Sequence, residues 1–164
     1  MKQYEDAVKD NNDMPGHLAR RFQQIAVAIF HAEVEDAGFD LTPVQYAALA
    51  ALEANPEIDQ ATLAGLIAYD RTTITGVIDR LTQKGLIVRM PSPRDRRANV
   101  LKMTDKGRET LQGVAPVVEA AQQVMLRGLT PEEADEFLRL FRKAIAAVND
   151  LSRAPLRSVG SNER

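Results

Sequence analysis

The densest group of side chains able to do chemistry is a basic block between Arg71 and Arg108. It holds ten Lys or Arg against three Asp or Glu, a net charge of +7, in a chain of 164 residues whose formal net charge is only −2. The other residues therefore sum to about −9. Such a local excess of cations favours a polyanionic partner, because each Lys or Arg that meets a phosphate releases condensed counterions. The block indicates a nucleic-acid-binding surface on an otherwise acidic protein.

Two groups of side chains within the basic block suit DNA. The first opens a predicted helix, and its members carry hydroxyl or guanidinium groups that bind phosphates and base edges: Arg71, Thr72, Thr73 and Thr75. The second lies in a proline-flanked loop, where guanidinium groups suit the negative potential of a narrow minor groove: Arg94, Arg96 and Arg97. A helix followed by a basic hairpin predicts a winged helix that binds DNA. The alternative is a solvated helix face beside a charged loop.

Start and stop signals predict a mainly α fold of about six helices with a short β-hairpin wing, a winged helix-turn-helix. Helix starts are marked by capping residues: Thr42 with Gln45, Asp59, Asp70, Thr104, and Thr130 with Glu133. We expect helices from Pro15 to before Gly38, from 43 to 54, from 59 to 67 and from 71 to 84. Strands are expected at 86–90 and 99–103. A long helix from 104 to 128 should kink or break at Pro116, and a last helix should follow Thr130.

These elements divide the chain into a DNA-binding module at 41–104 and a helical dimerisation region formed by 15–40 and 105–151. Residues 1–14 and 152–164 lack periodicity and are expected to be flexible. The helices at both ends have apolar faces larger than the module can cover: Leu18, Phe22, Ile25, Phe137, Phe141 and Ile145. We expect them to form a homodimer that binds a palindromic double-stranded operator. The alternative is one larger monomeric core.

Several segments match a known pattern: Leu41-Thr42-Pro43-Val44-Gln45-Tyr46, Ile78-Asp79-Arg80-Leu81, Lys84-Gly85-Leu86, Ser92-Pro93-Arg94-Asp95-Arg96-Arg97 and Leu101-Lys102-Met103-Thr104-Asp105-Lys106-Gly107. In these the chain resembles the MarR (multiple antibiotic resistance regulator) family of winged-helix transcription factors, over about residues 15–151. The resemblance implies that Arg96 enters the minor groove, that Asp95 orients its neighbours and that Arg97 supports the wing or a phosphate. Many family members carry Arg where this chain has Gly76. Base recognition must then come from Arg71 and the threonines, or from DNA shape.

The opening turns of the first helix form a second candidate site. His17, Arg20, Arg21 and Gln24 lie within about two turns, so several of them can converge on one small anion. Tyr46 and Tyr69 are candidates for an aromatic wall. The alternative is a solvated helix start. The family resemblance implies a small phenolic or aromatic acid as effector, of the hydroxybenzoate or hydroxynicotinate type. The resulting hypothesis is a ligand-responsive repressor that controls a catabolic or efflux operon.

Composition excludes several other functions. The chain has no cysteine, which rules out disulfides, thiolate zinc sites and cysteine catalysis within it. We predict no cofactor and no metal, because His17 and His31 are too far apart for a local metal pair. Two isolated histidines and scattered carboxylates do not supply a nucleophile, a base and an orienting group, so we predict that the protein is not an enzyme. No apolar run approaches the roughly 20 residues of a membrane span, and we expect a cytoplasmic protein. A winged helix used only as a protein-interaction or architectural module is the alternative function.

Overall fold

A computed structural model describes residues 13–93, 95 and 97–159 of the chain. Its elements are α1 (Pro15–Asp36), α2 (Pro43–Ala54), α3 (Gln60–Leu66), α4 (Ile74–Gln83), β1 (Ile87–Pro91), β2 (Asn99–Met103), α5 (Asp105–Met125) and α6 (Pro131–Ala147). A short 3₁₀ turn follows at Asn149–Leu151. The predicted mainly α, winged helix-turn-helix fold class is confirmed. Two predicted wing residues, Arg94 and Arg96, lie outside the described residues, as do residues 1–12 and 160–164 of the predicted flexible ends.

The predicted helix starts at Thr42, Thr104 and Thr130 are confirmed by their hydrogen bonds. The Thr42 hydroxyl accepts from the Gln45 backbone N–H at 3.3 Å, and the Gln45 side chain accepts from the Thr42 N–H at 3.2 Å. Thr130 and Glu133 form the same reciprocal box at the start of α6, and the Thr104 hydroxyl caps α5 through the Gly107 N–H at 3.0 Å. These side chains satisfy backbone donors that have no partner inside their helix.

The prediction for the fourth helix was wrong at its start, because α4 begins at Ile74 rather than at Arg71. The Asp70 carboxylate accepts hydrogen bonds from both the backbone N–H and the hydroxyl of Thr72. The Asp70 carbonyl accepts from the N–H groups of Thr73 and Ile74. Local bonds of this kind compete with helix formation, so 71–73 form a turn that leads into α4. Below we call 70–73 the recognition turn.

Other predicted boundaries also differ, most clearly those of the long helix and of the first strand. Residues 105–125 form one continuous helix through Pro116, so the predicted break does not occur, and α5 ends at Met125 instead of 128. Loss of the single backbone donor at Pro116 does not end a helix that is held by its flanking turns. The first strand begins at Ile87, since the Leu86 N–H bonds back to the Leu81 carbonyl across Gly85, whose φ is +71°. Leu86 therefore belongs to the C-terminal cap of α4 and not to the strand.

One apolar core joins the winged module to the end helices. Its fully buried side chains come from α1, α2, α3, α4, β1 and α5: Leu49, Leu52, Leu63, Ile74, Ile78, Leu81, Ile87, Val34 and Val114. Here α1 packs mainly against α5. By contrast, α6 contributes no buried residue. No helix in the described part of the chain is long and apolar enough to cross a membrane.

The wing is a two-stranded antiparallel hairpin that is fixed to the helices at three points. Ile87 pairs with Met103 and Pro91 pairs with Asn99 at its two ends. The Leu101 N–H donates to the Ile58 carbonyl at 2.8 Å, which ties β2 to the segment before α3. The other two points are an ion pair to α4 and a hydrogen-bond cluster at the start of α5, described below. The wing therefore has a set orientation relative to α4.

Candidate nucleic-acid interface and effector site

The recognition turn presents the predicted DNA-binding residues on the surface at the start of α4. Arg71, Thr72, Thr73 and Thr75 are all exposed, while Ile74 is buried. The Thr72 hydroxyl donates to the Asp70 carboxylate, and the Thr73 hydroxyl donates to the Asp70 carbonyl at 3.1 Å. These hydroxyls keep their acceptor lone pairs, and their positions are fixed by Asp70. Hydrogen bonds from the Thr72 side chain and backbone hold the pKa of Asp70 below its ordinary value.

A polar residue that the sequence analysis missed extends this surface. The Gln60 side-chain amide donates to the Thr75 hydroxyl at 2.6 Å and so links the first residue of α3 to α4. Asp59 caps α3 through the backbone and hydroxyl of Thr62. Burial acts to raise the pKa of Asp59, but these hydrogen bonds outweigh it, and the pKa is lowered. The position of Gln60 at the first residue after a helix cap was the available signal.

Asp95, the predicted orienting residue of the wing, makes hydrogen bonds to the two residues after Arg96. Its carboxylate accepts from the Arg97 N–H at 2.9 Å, and its carbonyl accepts from the Ala98 N–H at 3.0 Å. The Ser92 N–H donates to the Ala98 carbonyl at 2.8 Å and closes the loop. Arg97 is exposed. Arg94 and Arg96 lie outside the described residues, and the orienting role of Asp95 stays a prediction.

The wing is held against α4 and α5 by polar contacts. Arg89 on β1 forms a 2.7 Å ion pair with Asp79 on α4. The Thr104 hydroxyl donates to the Gly85 carbonyl at 2.7 Å and contacts the Leu86 carbonyl at 3.1 Å. Gly107 lies so close to this cluster that an added Cβ would stand 2.1 Å from the Leu86 carbonyl oxygen. These contacts set the distance between the two predicted DNA-contacting elements.

Several cations of the basic block are paired with carboxylates. Among the residues of the block that the structure describes, four cations form ion pairs: Lys84 with Asp40, Arg89 with Asp79, Lys102 with Glu57 and Arg108 with Asp105. Lys84 also donates to the Asp40 carbonyl and to Gln45, which connects the end of α4 to the start of α2. Arg71, Arg80 and Arg97 are exposed. The paired carboxylates offset part of the positive charge of the block, although exposed ion pairs of this kind are weak.

The predicted effector residues on α1 form one polar cluster. The Arg20 guanidinium donates to the Gln24 side-chain oxygen at 3.0 Å and lies 3.5 Å from Nδ1 of His17. Arg20, Arg21 and Gln24 are exposed, whereas His17 is partly buried. The structure thus brings His17, Arg20 and Gln24 together on one face of the helix, with Arg21 next along the chain.

Tyr46 lies in a cavity of about 520 Å³ that the arginine cluster does not line. Its walls come from α1, α2 and α5: Phe30, Pro43, Tyr46, Ala115, Val118, Glu119 and Gln122. The Tyr46 ring contacts the Phe30 ring, with centroids 6.2 Å apart. Ten residues of helix separate Arg20 from Phe30, about 15 Å along the axis. Within one chain, Arg20 and Tyr46 therefore belong to different places.

Tyr69 lies in a third place, beside the recognition turn. It lines a cavity of about 140 Å³ together with Asp70, Arg71 and Thr72 on one side and residues 153–155 and 157 on the other. The described part of the predicted flexible C-terminal tail, 152–159, is thus docked on the winged module. Its Arg157 N–H donates to the Gly65 carbonyl at 2.9 Å. The sequence analysis missed this contact, because the tail has no periodicity that would reveal it.

Comparison with known proteins connects this geometry to a family. Residues 41–98 match the model of the MarR family. The chain is 32% identical to the HTH-type transcriptional repressor NicR of Pseudomonas putida over 136 residues, covering 83% of this chain and 85% of that protein. It also resembles two solved structures. One is the PcaV transcriptional regulator of Streptomyces coelicolor in complex with its natural ligand, with 34% identity, a TM-score of 0.77, and coverage of 87% of this chain and 99% of that chain. The other is Bordetella bronchiseptica BpsR, solved in a study of how 6-hydroxynicotinic acid regulates its DNA binding. It has 32% identity and a TM-score of 0.77, and the match covers 83% of this chain and 96% of that chain.

Proposed function

This chain belongs to the MarR family of DNA-binding transcriptional regulators, and we propose that it is a homodimeric repressor released from a palindromic operator by a small aromatic carboxylate. The observation that carries the proposal is the cavity at Tyr46. It lies where the start of α2, a helix of the DNA-binding module, meets α1 and α5. A ligand bound there would contact both the helices that set the dimer geometry and the module that contacts DNA.

The dimer follows from apolar surface that one chain leaves uncovered. Leu18 and Ile25 on α1 are about half exposed, as are Leu140 and Ile145 on α6. Phe22 packs edge-on against Phe137 and Phe141, so the two helices already form one continuous apolar face. A second copy that covers this face would be related by two-fold symmetry and would bind a symmetric site. We expect its two recognition turns to lie about 34 Å apart, one turn of DNA.

The DNA contacts divide between the two elements that the wing contacts hold together. The recognition turn and the first turn of α4 would enter the major groove, where Arg71 and the threonines meet phosphates and base edges. The wing would reach the minor groove with Arg96 and with Arg94 or Arg97 beside it. Gly76 is exposed on α4 and offers no side chain to a base. Base recognition then depends on the turn residues and on DNA shape.

The size and the apolar walls of the cavity suit the ring of an aromatic acid. Ligand pockets span about 300–1,000 Å³ and are mostly apolar with a few polar groups. Here Phe30, Pro43 and Val118 supply apolar walls, and Glu119 and Gln122 lie at one side. A carboxylate such as Glu119 accepts from a ring hydroxyl or ring N–H but repels a ligand carboxylate. The ligand carboxylate therefore needs a cation from elsewhere.

We assign that cation to the partner subunit. In one chain the His17, Arg20 and Gln24 cluster is about 15 Å along α1 from Phe30, yet both lie on helices of the proposed dimer face. In an antiparallel arrangement of the two α1 helices, the helix start of one copy would approach the cavity of the other. Arg20 and Arg21 would then meet the ligand carboxylate, with His17 and Gln24 as further donors. The site would exist only in the dimer, so ligand binding would be linked to dimer geometry.

The test measures operator binding by fluorescence anisotropy, with and without 6-hydroxynicotinate and 4-hydroxybenzoate. At least one of these acids should weaken binding by about 5–150-fold, the usual range of allosteric coupling. Arg20→Ala should lose that response while its DNA affinity without ligand stays near wild type, because Arg20 lies outside the basic block. Arg127→Ala, which removes an exposed arginine from the α5–α6 turn, is the matched control. A wild-type protein that ignores a wide panel of aromatic acids would refute the effector proposal. An Arg20→Ala variant with full response would refute the site.

A further inference from the structure

The C-terminal tail returns from the end of α6 to the winged module and is fastened there by backbone bonds. The Asn149 side chain forms two hydrogen bonds with the main chain of Leu156. Its Oδ1 accepts from the Leu156 N–H at 2.9 Å, and its amide N–H donates to the Leu156 carbonyl at 3.1 Å. One residue further, the Arg157 N–H donates to the Gly65 carbonyl at the end of α3. Main-chain bonds at consecutive residues give this segment a defined position.

Gly65 is what allows the close approach of the tail. A Cβ built at Gly65 would lie 3.3 Å from Cβ of Arg157 and 3.4 Å from its Cδ. The aliphatic stem of Arg157 therefore lies flat across the glycine, and any larger residue at 65 would push it away. The tail thus packs against α3 by apolar contact as well as by hydrogen bonds.

The docked tail adds positive charge to the recognition turn. Arg153 and Arg157 form the opposite wall of the small cavity that Arg71 and Thr72 line. Asp70 is the carboxylate that lines this cavity, and its oxygen is already engaged by the Thr72 backbone and hydroxyl. Arg71 and Arg153, which both line this cavity, bring two positive charges against the one carboxylate of Asp70 and leave a local excess of positive charge. Such a cluster favours a phosphate at the position where the recognition turn meets DNA.

We propose that the docked tail is part of the DNA-binding surface, and that Arg153, with Arg157 beside it, contacts a backbone phosphate next to the bases faced by the recognition turn. Phosphate contacts fix the register of a protein on the duplex without selecting sequence. The tail is joined to α6, so this contact also links the dimerisation helix to the position of the module on DNA. The inference rests on the DNA-binding function and extends it to a segment outside the winged module.

The experiment compares Arg153→Gln with Arg127→Gln, two charge removals at exposed arginines, one beside the recognition turn and one in the distant α5–α6 turn. Binding to an operator selected from a random-sequence pool and to an unrelated duplex is measured between 50 mM and 200 mM salt. Removing one phosphate contact reduces the salt slope by about 0.9. The proposed dimer contains the change twice, so the slope should fall by about 1.8. The affinity ratio of wild type to Arg153→Gln should therefore shrink by about 12-fold across this range, on both duplexes.

A third variant tests whether the docked position matters. Asn149→Ala keeps every charge but removes both bonds to Leu156, and it should show the same loss of slope with an unchanged unfolding profile of the module. If Asn149→Ala keeps the salt slope and the DNA affinity of the wild type, the docked tail has no role in DNA binding. If Arg153→Gln behaves as Arg127→Gln does, or weakens only operator binding at constant slope, the phosphate contact is wrong. If the wild type binds neither duplex, the DNA-binding function itself fails, a result distinct from these.

Discussion

Ile145 offers a direct test of the proposed dimer, because it lies on α6 with 52% of its side chain exposed in the single chain. Ile145→Ala removes three carbon atoms. At about 0.8 kcal/mol per buried methylene, and with about half of the side chain still to be buried, the substitution costs about 1.2 kcal/mol per chain. A two-fold dimer contains the change twice, which gives about 2.4 kcal/mol. The dimer dissociation constant should therefore rise by about 60-fold.

The assay is sedimentation equilibrium over a range of protein concentrations, with thermal unfolding to confirm that the fold persists. Val88→Ala is the matched control, because Val88 is a 39% exposed apolar residue on the wing, outside the proposed dimer face. It should leave the dissociation constant unchanged. A dissociation constant for Ile145→Ala within about threefold of wild type would refute the assignment of this face, since it lies far below the 60-fold derived from buried area. A wild-type monomer at micromolar concentration would refute the dimer.

Two further substitutions test the wing and its attachment. Arg96→Ala should weaken operator binding by about 1–3 kcal/mol per subunit and reduce the salt slope by about one per subunit, as expected for a minor-groove contact. Unchanged titrations across salt would show that the wing does not bind DNA there. Gly107→Ala should destabilise the fold by about 3 kcal/mol and lower the melting temperature by about 6–12 °C, because its Cβ would meet the Leu86 carbonyl oxygen at 2.1 Å. Gly76→Ala is its control, since a Cβ there meets nothing within 4 Å, and it should be neutral or stabilising by about 0.5–1 kcal/mol. Equal melting temperatures for the two variants would contradict the packing argument.

The order of elements could be predicted from the sequence because it depends on local signals. The Thr42 capping box, the Thr104 cap and the Gly85 stop each act within four residues of their own position, so their chemistry is visible in the linear chain. The four buried side chains of α4, Ile74, Val77, Ile78 and Leu81, follow the three- to four-residue spacing of one helix face, which is also a local property of the chain. Where two local signals competed, the prediction failed. Asp70 was predicted as a helix cap, yet its carboxylate closes a turn over Thr72 and delays α4 to Ile74.

The candidate sites depended on contacts between residues far apart in the chain, which no local pattern contains. Composition identified a basic block, but only the tertiary structure decided that Lys84, Arg89, Lys102 and Arg108 are engaged with carboxylates. Tyr46 and Tyr69 were equal candidates in sequence, and the fold places them in separate cavities. Docking of the tail could not be predicted from local sequence either, because the contact between Gly65 and Arg157 joins residues 92 positions apart. Hydrophobic periodicity and capping are short-range properties of the chain, whereas charge pairing, cavities and tail docking follow from packing, and packing is decided by the whole core.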